Sequence, residues 1–459
     1  MKKIKPFHLI VITLVSVVIA LWNPLEMEKN QTLLFSTLVF TVGLWATEAV
    51  HKSIACVFLL LSFALFGKTK MTEILSFAWS DTLLLIVTTT FLSVGIMKTG
   101  VVHRYVESLF RKNSSNIFKL LILPYLFGVV LVFLIPQAFA RVIIIGAILN
   151  SLLTAQTQEE QRAKQVLIFN GFMGITMTYM FFNNGDIVLN QAAIRFAGEE
   201  VKQILTFQHW LLLMAPPSLI ASLVVLLLIY LIFRQDLSGF HSGMIAKDAY
   251  ENSEVSKEKQ RITLITMVVI ILLWMTQSLH QISPWIPALA GTVVLFGIKV
   301  LNREDLKAVN PHFLLFLLTV FSIGKVLGQS GITQIIFENL NALIPQADSS
   351  LYLLVIAAVV MVLHLCIGSS VATMSVVLPI LIPLTRSFGY RSEVVTLMIY
   401  LIVNVHFLLP FHHATVMIGT AKEYYPERDM FRFGAVMTVV TFVLLYGLYF
   451  PWWKLMEVL

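Results

Sequence analysis

Long apolar blocks constrain the fold of this chain more than any other feature of its sequence. Hydrophobic residues fill 58% of the 459 positions, and charged residues fill only 12%. A soluble domain has roughly twice that charged fraction, because most of its surface contacts water. Here the apolar residues fill whole segments of membrane-spanning length, which is typical of transmembrane helices. We therefore predict an all-α polytopic membrane protein that contacts the lipid bilayer.

The basic residues predict the orientation of the chain in that bilayer. The formal net charge is +7, and basic clusters at residues 1–5, 68–70 and 104–112 lie in short loops beside apolar spans. Positively charged loops mark the cytoplasmic side of a membrane. We expect a multi-pass protein of the plasma membrane with a cytoplasmic amino terminus, an uncleaved first helix and no nucleic-acid partner.

One polar stretch of mixed charge divides the apolar blocks into two groups. The blocks before it cover residues 7–22, 32–50, 54–66, 82–97, 117–134, 141–153, 166–183 and 210–233. The blocks after it cover residues 262–277, 285–300, 313–327, 352–366, 371–384, 395–411 and 431–450. We therefore predict three parts, which are a first half at 1–233, a polar linker at 234–261 and a second half at 262–459.

The two halves share a register of matching residues. Phe66-Gly67 recurs as Phe296-Gly297, and further matches keep a constant offset of 231 residues. These matches are Glu73, Leu75, Leu84, Thr88 and Gly100 with Glu304, Leu306, Leu315, Thr319 and Gly331. A fixed register across a polar turn, a helix and a glycine stop indicates internal duplication. Two copies with an odd number of crossings each would be inverted repeats, a common basis of secondary transporters.

Four breaks interrupt the apolar pattern with small, polar or helix-disrupting residues. They lie at residues 135–141, 182–186, 367–373 and 409–415, two in each half. The first and third each split an apolar stretch of about 35 residues, enough for two half-length helices folded as a re-entrant hairpin. Non-helical backbone at membrane depth is tolerated only where protein or water satisfies it. Gly and Pro also kink ordinary spanning helices, but four breaks in symmetric positions favour a transport site. The predicted fold has about eleven transmembrane helices plus two re-entrant hairpins.

Residues in these breaks are candidate ligands, because a hairpin tip offers amide N–H groups to anions and free carbonyls to cations. We assign substrate binding to Gln137, Arg141, Asn183, Asn184, Ser369, Ser370, Thr373, His412, His413 and Thr415. We assign cation coupling to Pro136, Ala138, Gly185, Asp186, Gly368, Val371 and Ala414. No cofactor is expected and no metal beyond Na⁺, and either Na⁺ or H⁺ can serve as the coupling ion.

The charged members of this set allow more than one role. An ionised side chain inside a bilayer is unfavourable by several kcal/mol, so it usually faces a cavity or a partner. Arg141 can bind an anion through its planar guanidinium, or it can pair with Asp186. His412 and His413 can relay protons, since histidine titrates near neutral pH, or they can hydrogen-bond within the bundle.

Several motifs occur together in an order that a known family shares. Residues 45–50 read W-A-T-E-A-V, where the family opens with W-x-T-E-A-[IV]. Residues 368–373, followed by Leu378-Pro379, resemble its second hairpin, which reads S-N-T-A-[ST]. Further similar segments are Phe207 with Trp210 and Pro216 after the first unwound helix, and 409–415, 429–434 and Trp452-Trp453 at the carboxyl end. By these motifs the chain resembles the divalent anion/sodium symporter family of dicarboxylate and sulfate transporters, part of the ion transporter superfamily.

This resemblance implies a homodimer with a fixed scaffold and a transport domain that moves as an elevator. The hairpin tips and the two unwound helices would then form the site. The chain departs from the family at the residues that bind sodium and carboxylate there. The two S-N-T motifs are replaced by residues 136–138 and 369–371, and the T-P-P-N stretches by residues 183–186 and 412–415. Asp186 and the histidines can support proton coupling in their place.

We therefore predict a secondary active transporter that moves a small anion, such as a di- or tricarboxylate or sulfate, by exchange or coupled to a Na⁺ or H⁺ gradient. One alternative is a membrane-embedded enzyme of lipid-linked glycan chemistry. That enzyme needs a large ordered polar loop, and the motifs of soluble enzymes are absent, so we expect the chain not to be an enzyme. The other alternative is a transport-inactive relative with a regulatory role, which the altered motifs keep open.

Overall fold

The chain forms a helical bundle in a computed structural model. The structure describes residues 6–47, 49–246, 255–343, 351–409 and 412–459. Glu48, Pro410 and Phe411, together with the amino-terminal basic cluster at 1–5, lie outside the described residues. Within them the only β-type pairing is an isolated antiparallel bridge between Leu153 and Ile245. The prediction of an all-α fold is confirmed.

The described α-helices are numbered here in chain order. The first half contains α1 Pro6–Trp22, α2 Lys29–Thr47, α3 Lys52–Phe66, α4 Met71–Ile74, α5 Asp81–Lys98, α6 Val101–Lys112, α7 Ile117–Leu134, α8 Ala138–Leu152, α9 Gln158–Thr178, α10 Leu189–Phe196, α11 Glu199–Ile204 and α12 Phe207–Leu237. The second half contains α13 Lys257–Met275, α14 Gln277–His280, α15 Trp285–Gly297, α16 Pro311–Gln329, α17 Ile332–Leu343, α18 Leu351–Ile367, α19 Ser370–Arg386, α20 Ser392–Val405, α21 Ala414–Ala421, α22 Glu427–Leu444 and α23 Phe450–Leu455. Short 3₁₀ turns cover Ser76–Trp79, Tyr179–Phe181, Ser242–Met244 and Arg303–Ala308, and a π-helical turn at Leu445–Tyr449 joins α22 to α23.

Five segments are long and apolar enough to cross a membrane. They are α5, α7, α12, α16 and the run Glu427–Leu455, with mean hydropathies between 1.4 and 2.5. Shorter apolar helices accompany them, and large apolar side chains on several helices point outward, such as Leu21 at 82% exposure and Leu65 at 73%. An apolar outer surface of this kind faces lipid. The chain is a polytopic membrane protein, while the number of its crossings stays a prediction.

The order of elements in the first half recurs in the second. Helices α5 to α10 are followed at similar spacing by α16 to α21. Gly100 precedes α6 with a φ of 65°, and Gly331 precedes α17 with a φ of 76°. Such left-handed backbone favours glycine, so the matching glycine stops have a structural reason. The duplication and its inverted orientation remain predictions.

The first part of the predicted polar linker is held in place by hydrogen bonds. Helix α12 continues to Leu237 past a kink at Phe233, and α13 already begins at Lys257. The Thr154 N–H donates to the Met244 carbonyl over 2.7 Å. The Ala246 N–H donates to the Leu152 carbonyl over 2.8 Å. Residues 244–246 are therefore attached to the loop between α8 and α9.

The arms of both predicted hairpins are longer than half-length helices. Helices α7 and α8 have 18 and 15 residues, and α18 and α19 have 17 each. A rise of about 1.5 Å per residue gives arms of roughly 22–27 Å. Half of the hydrocarbon core of a bilayer is only about 15 Å. A re-entrant path would therefore require strongly tilted arms or arms that extend beyond the core.

Two consecutive prolines in α12 free two backbone carbonyls that distant side chains then satisfy. Pro216 and Pro217 have no N–H, so the carbonyls four residues earlier, at Leu212 and Leu213, lose their helical partners. The indole N–H of Trp452 donates to the Leu212 carbonyl, and that of Trp453 donates to the Leu213 carbonyl, each over 3.0 Å. The carboxyl-terminal tryptophan pair thus completes the hydrogen bonding of α12.

We expect Trp453→Phe to lower the apparent melting temperature of the purified protein in detergent. The buried Leu213 carbonyl would lose its donor, which is unfavourable by about 1–3 kcal/mol. Trp79→Phe, at a side chain that is 84% exposed, is the matched control. Equal melting temperatures for the two variants would contradict this role of Trp453.

Candidate functional site

The structure breaks its helices at all four predicted places. Residues 135–137 separate α7 from α8, and Gly368-Ser369 separate α18 from α19. We call these two connections the first and second tips. Residues 182–188 form a non-helical segment before α10, and residues 406–409 with 412–413 form another between α20 and α21. We call these the first and second unwound segments.

The first tip is bonded to the first unwound segment. The Arg141 side chain, which is fully buried, donates through Nη2 to the carbonyl of Gly185. The Ile187 N–H donates to the Pro136 carbonyl over 3.3 Å. These bonds bring the start of α8 against the backbone that follows α9.

Arg141 keeps hydrogen-bonding capacity in this position. Its Nε and Nη1 groups are buried and meet no acceptor among the described residues. The described part of the chain also contains no ion pair between Arg141 and Asp186. Asp186 instead accepts a hydrogen bond from the Val188 N–H over 3.0 Å. The two charged residues are far apart in sequence but close in space, and Arg141 binds the carbonyl of Gly185 and not the carboxylate of Asp186.

The shape of the first unwound segment depends on a close backbone approach at Gly185 and on hydrogen bonds of the Asn190 side chain. A Cβ atom on Gly185 would lie 1.8 Å from the Tyr179 carbonyl oxygen, so a larger residue cannot take this position without backbone movement. The Asn190 side-chain amide donates to the Phe182 carbonyl over 2.7 Å and to the Tyr179 carbonyl over 3.2 Å. Its oxygen accepts from the Tyr400 hydroxyl over 2.7 Å. Asn190 therefore satisfies carbonyls that unwinding has freed.

The second tip is bonded to the second unwound segment in a comparable way. Ser369 caps α19, and the Thr373 hydroxyl donates back to the Ser369 carbonyl over 2.9 Å. The Ser370 hydroxyl lies 2.9 Å from the Val403 carbonyl and 3.3 Å from the His412 carbonyl. Gly368 turns the chain with a φ of 67°, a conformation that favours glycine.

Side chains of the two halves meet between the unwound segments. The Tyr179 hydroxyl donates to the Asn404 side-chain oxygen over 2.6 Å and lies 3.0 Å from Nε2 of His413. The Thr415 hydroxyl lies 2.9 Å from Nδ1 of His413 and 3.1 Å from the Thr176 hydroxyl. The helices also pack crosswise, with α10 against α19 and α21 against α8. The two breaks of each half are thereby joined into one polar cluster.

The remaining predicted residues lie outside this network or contribute only backbone. The Gln137 side chain points to α5, where it donates to the Thr90 hydroxyl over 2.5 Å. The Asn184 side-chain oxygen is buried without a donor in the described residues, and the Asn183 carbonyl accepts from Gln191 over 3.3 Å. Ala138 is the first residue of α8 and Val371 the second of α19, and both side chains are apolar. The side chain of Ala414 is not among those described. No described hydrogen bond joins the two tips directly, and the ligand roles of all these residues stay predictions.

Sequence reasoning missed several polar residues of the cluster. They are Tyr179, Asn190, Tyr400, Asn404, His364 and His406. Each lies in or beside an apolar stretch, where a polar side chain is rare, so their position in the sequence was a usable signal. What the sequence lacked was any indication of which partner each one contacts.

Comparison with known proteins identifies the family. The model of the sodium:sulfate symporter transmembrane region matches residues 2–459. The chain belongs to this family. The resemblance drawn from the hairpin and carboxyl-terminal motifs is thereby confirmed.

Two relatives and one solved structure are similar to this symporter-family chain. A Cupriavidus necator "Membrane protein" is 21% identical over 95% of this chain and 90% of the relative. The "Putative malate transporter YflS" of Bacillus subtilis is 22% identical over 62% of this chain and 61% of the relative. The crystal structure of the Alcanivorax borkumensis YdaH transporter, described as having an unusual topology, matches with a TM-score of 0.52 at 15% identity, over 84% of this chain and 88% of that one. The last match shows a shared fold.

Family membership decides between a transporter and an enzyme, two classes that the sequence left open. This symporter-family protein is a membrane-embedded transporter of anions and not an enzyme, so the alternative of lipid-linked glycan chemistry is excluded. Its partners include an anionic substrate and membrane lipid.

We expect Gly185→Ala to reduce anion transport by about tenfold or more and to lower the melting temperature. The added methyl group would overpack the site and so destabilise the folded protein by roughly 1–3 kcal/mol. The displaced Gly185 carbonyl would no longer hold Arg141. Gly297→Ala is the control, because a Cβ atom there meets nothing within 4 Å. Uptake by Gly185→Ala equal to that of the control would show that the close approach to Tyr179 is not required.

Proposed function

We propose that this protein is a secondary active transporter that moves a small anion, either a di- or tricarboxylate or a sulfate-like ion, across the plasma membrane. Transport is coupled to a Na⁺ or H⁺ gradient or runs as exchange. The observation that carries the proposal is Arg141, a buried guanidinium at the first tip whose Nε and Nη1 groups meet no protein acceptor among the described residues.

Burial makes an unsatisfied guanidinium a strong candidate for anion binding. A charge removed from water without a partner is unfavourable by several kcal/mol. An anionic substrate would supply the missing charge and the missing acceptors together. The name of the Bacillus subtilis relative, a putative malate transporter, is consistent with a carboxylate.

Helix ends at the two tips add to the favourable potential for an anion. Helix α8 begins at Ala138 and α19 begins at Ser370, so both direct their amino termini at the tips. A helix amino terminus carries a partial positive charge and free N–H groups. Arg141 and the amino terminus of α8 therefore favour negative charge at the first tip, and the amino terminus of α19 favours it at the second.

The burial of the cluster supports an alternating-access mechanism. Arg141 and Thr373 are fully buried, and His413 is only 3% exposed. A solute cannot reach these groups unless part of the protein moves. We propose an elevator motion of a domain that contains both tips, within a homodimer, as the family resemblance implies. The mass of the protein after subtraction of bound detergent would test the dimer.

We also propose that the halves at 1–233 and 262–459 are inverted repeats joined by the linker at 234–261. The recurrent element order and the paired left-handed glycines, Gly100 and Gly331, support this division. The cytoplasmic amino terminus rests on the basic cluster at 1–5. A reporter fused to that end and active only on the outer side of the membrane would contradict it.

The direct test is uptake into proteoliposomes of labelled malate, citrate and sulfate, with Na⁺ and H⁺ gradients imposed separately. We expect uptake of at least one anion by the wild type and a loss of about 10- to 100-fold in Arg141→Gln, since a hydrogen bond to a charged group contributes roughly 1.5–3 kcal/mol. Arg386→Gln, at an exposed arginine that pairs with Glu200, should transport like the wild type.

Two outcomes would decide against the proposal. Undiminished uptake by Arg141→Gln would remove this residue from the substrate site. Failure of the wild type with all three anions under both gradients would favour the alternative of a transport-inactive relative with a regulatory role.

Asp186 provides a separate test of coupling. A carboxylate can take up a proton where a cation would otherwise bind, so we expect Asp186→Asn to abolish stimulation of uptake by an inward H⁺ gradient. Asparagine keeps an oxygen that can accept from the Val188 N–H, so the backbone bond survives while the charge is lost. Asp186→Glu, which keeps a titratable group, should retain part of the stimulation. Proton-driven uptake equal to the wild type in Asp186→Asn would assign the coupling elsewhere.

A further inference from the structure

Three buried histidines from separate parts of the second half face one another. His364 lies near the end of α18, His406 follows α20, and His412 lies in the second unwound segment. Their ring centroids are 4.9 Å apart for His364 and His412, 5.2 Å for His406 and His412, and 5.6 Å for His364 and His406. One ring nitrogen from each lies within 4.8 Å of the others. We call these residues the histidine triad.

Hydrogen bonding within the protein does not explain this arrangement. His406 is 1% exposed, yet neither of its ring nitrogens has a partner among the described residues. Nδ1 of His364, a fully buried residue, is likewise without one. The neighbouring His413 is different, because Tyr179 and Thr415 occupy both of its nitrogens. Buried polar atoms are nearly always satisfied, so the open nitrogens of His364 and His406 point to a missing ligand.

We propose that His364, His406 and His412 bind one divalent transition-metal ion of the zinc type. Neutral imidazole is a preferred ligand of Zn²⁺ and of its neighbours Co²⁺, Ni²⁺ and Cu²⁺, whereas Na⁺ prefers oxygen ligands. Three histidines with an open fourth position form an established kind of zinc site. The ion is a ligand of this site and differs from the Na⁺ or H⁺ proposed for coupling.

The geometry requires a modest contraction of the triad. Nitrogens in a tetrahedral site with Zn–N bonds of about 2.0–2.1 Å lie about 3.3 Å apart. The triad nitrogens lie at most 4.8 Å apart, so each ring must move by roughly an ångström. Metal binding supplies the free energy for such movement, because the folded site binds the ion and the unfolded chain does not.

The surroundings of the triad indicate what the fourth position would take. The Ser370 hydroxyl lies 3.4 Å from Nε2 of His364, so the triad borders the second tip. Three neutral ligands leave the full charge of the ion uncompensated in a buried place, which favours an anionic fourth ligand such as a carboxylate or hydroxide. Binding of the ion itself does not depend on anion transport, so the two proposals can fail separately.

Zinc binding to the full-length protein tests the proposal. The protein is purified in detergent with an affinity tag that contains no histidine, loaded with Zn²⁺ and passed through a desalting column. Bound zinc is then measured by mass spectrometry of the element. We expect about one ion per chain in the wild type and a loss of most of it in His406→Gln and His364→Gln, since three protein ligands define the site. His209→Gln is the matched control, because the hydrogen bond described for this side chain is to the Ile204 carbonyl, away from the triad.

Two further measurements distinguish loss of the metal site from misfolding of a variant. Excess Zn²⁺ should raise the melting temperature of the wild type and of His209→Gln but not of His406→Gln, since a ligand that binds only the folded state stabilises it. Co²⁺ bound to the wild type should show the visible absorption of a four-coordinate nitrogen site. Wild-type protein without bound zinc, retention of zinc by His406→Gln, or a purely octahedral Co²⁺ spectrum would each overturn the proposal.

Discussion

The broken helices of this structure depend on hydrogen bonds to the backbone carbonyl and N–H groups that each break leaves without a helical partner. A helix that breaks at membrane depth exposes carbonyls and N–H groups that lipid cannot bind. In this chain, side chains from other helices donate hydrogen bonds to these carbonyls. Asn190 donates to the carbonyls of Phe182 and Tyr179, and Arg141 donates to that of Gly185. These buried polar side chains therefore stabilise the broken helices. Only the groups that remain without a protein partner, such as Nε and Nη1 of Arg141, are available to bind a solute.

This condition also couples the two halves. Tyr179 lies in the 3₁₀ turn just before the first unwound segment, and its hydroxyl contacts Asn404 and His413 of the second half. Helix α10 packs on α19 and helix α21 packs on α8, each in the opposite half. The two tips are therefore linked through shared neighbours, although no described hydrogen bond joins them directly. A transport domain that contains both tips would move as one body for this reason.

The fold and the positions of the breaks could be predicted from the sequence because both depend on local composition. Apolar length indicates a span, and a proline or a Gly-Ser pair within it indicates a break. The partners could not be predicted, because they depend on tertiary contacts between distant residues. Arg141 and Asp186 suggested an ion pair by charge alone, yet the structure pairs Arg141 with a carbonyl. His412 lies next to His413 in the sequence, but its neighbours in space are His364, on α18, and His406, which directly follows α20.

The tryptophan bonds to α12 have a consequence for biogenesis. Trp453 is synthesised 240 residues after Leu213, whose carbonyl it binds. Helix α12 therefore enters the membrane with two carbonyls that lack their later partners, and they stay so until α23 is in place. During that interval water, the translocation machinery or neighbouring helices must solvate this segment. The first half can insert early, but the hydrogen bonding of its own backbone is complete only after α23 of the second half has been synthesised.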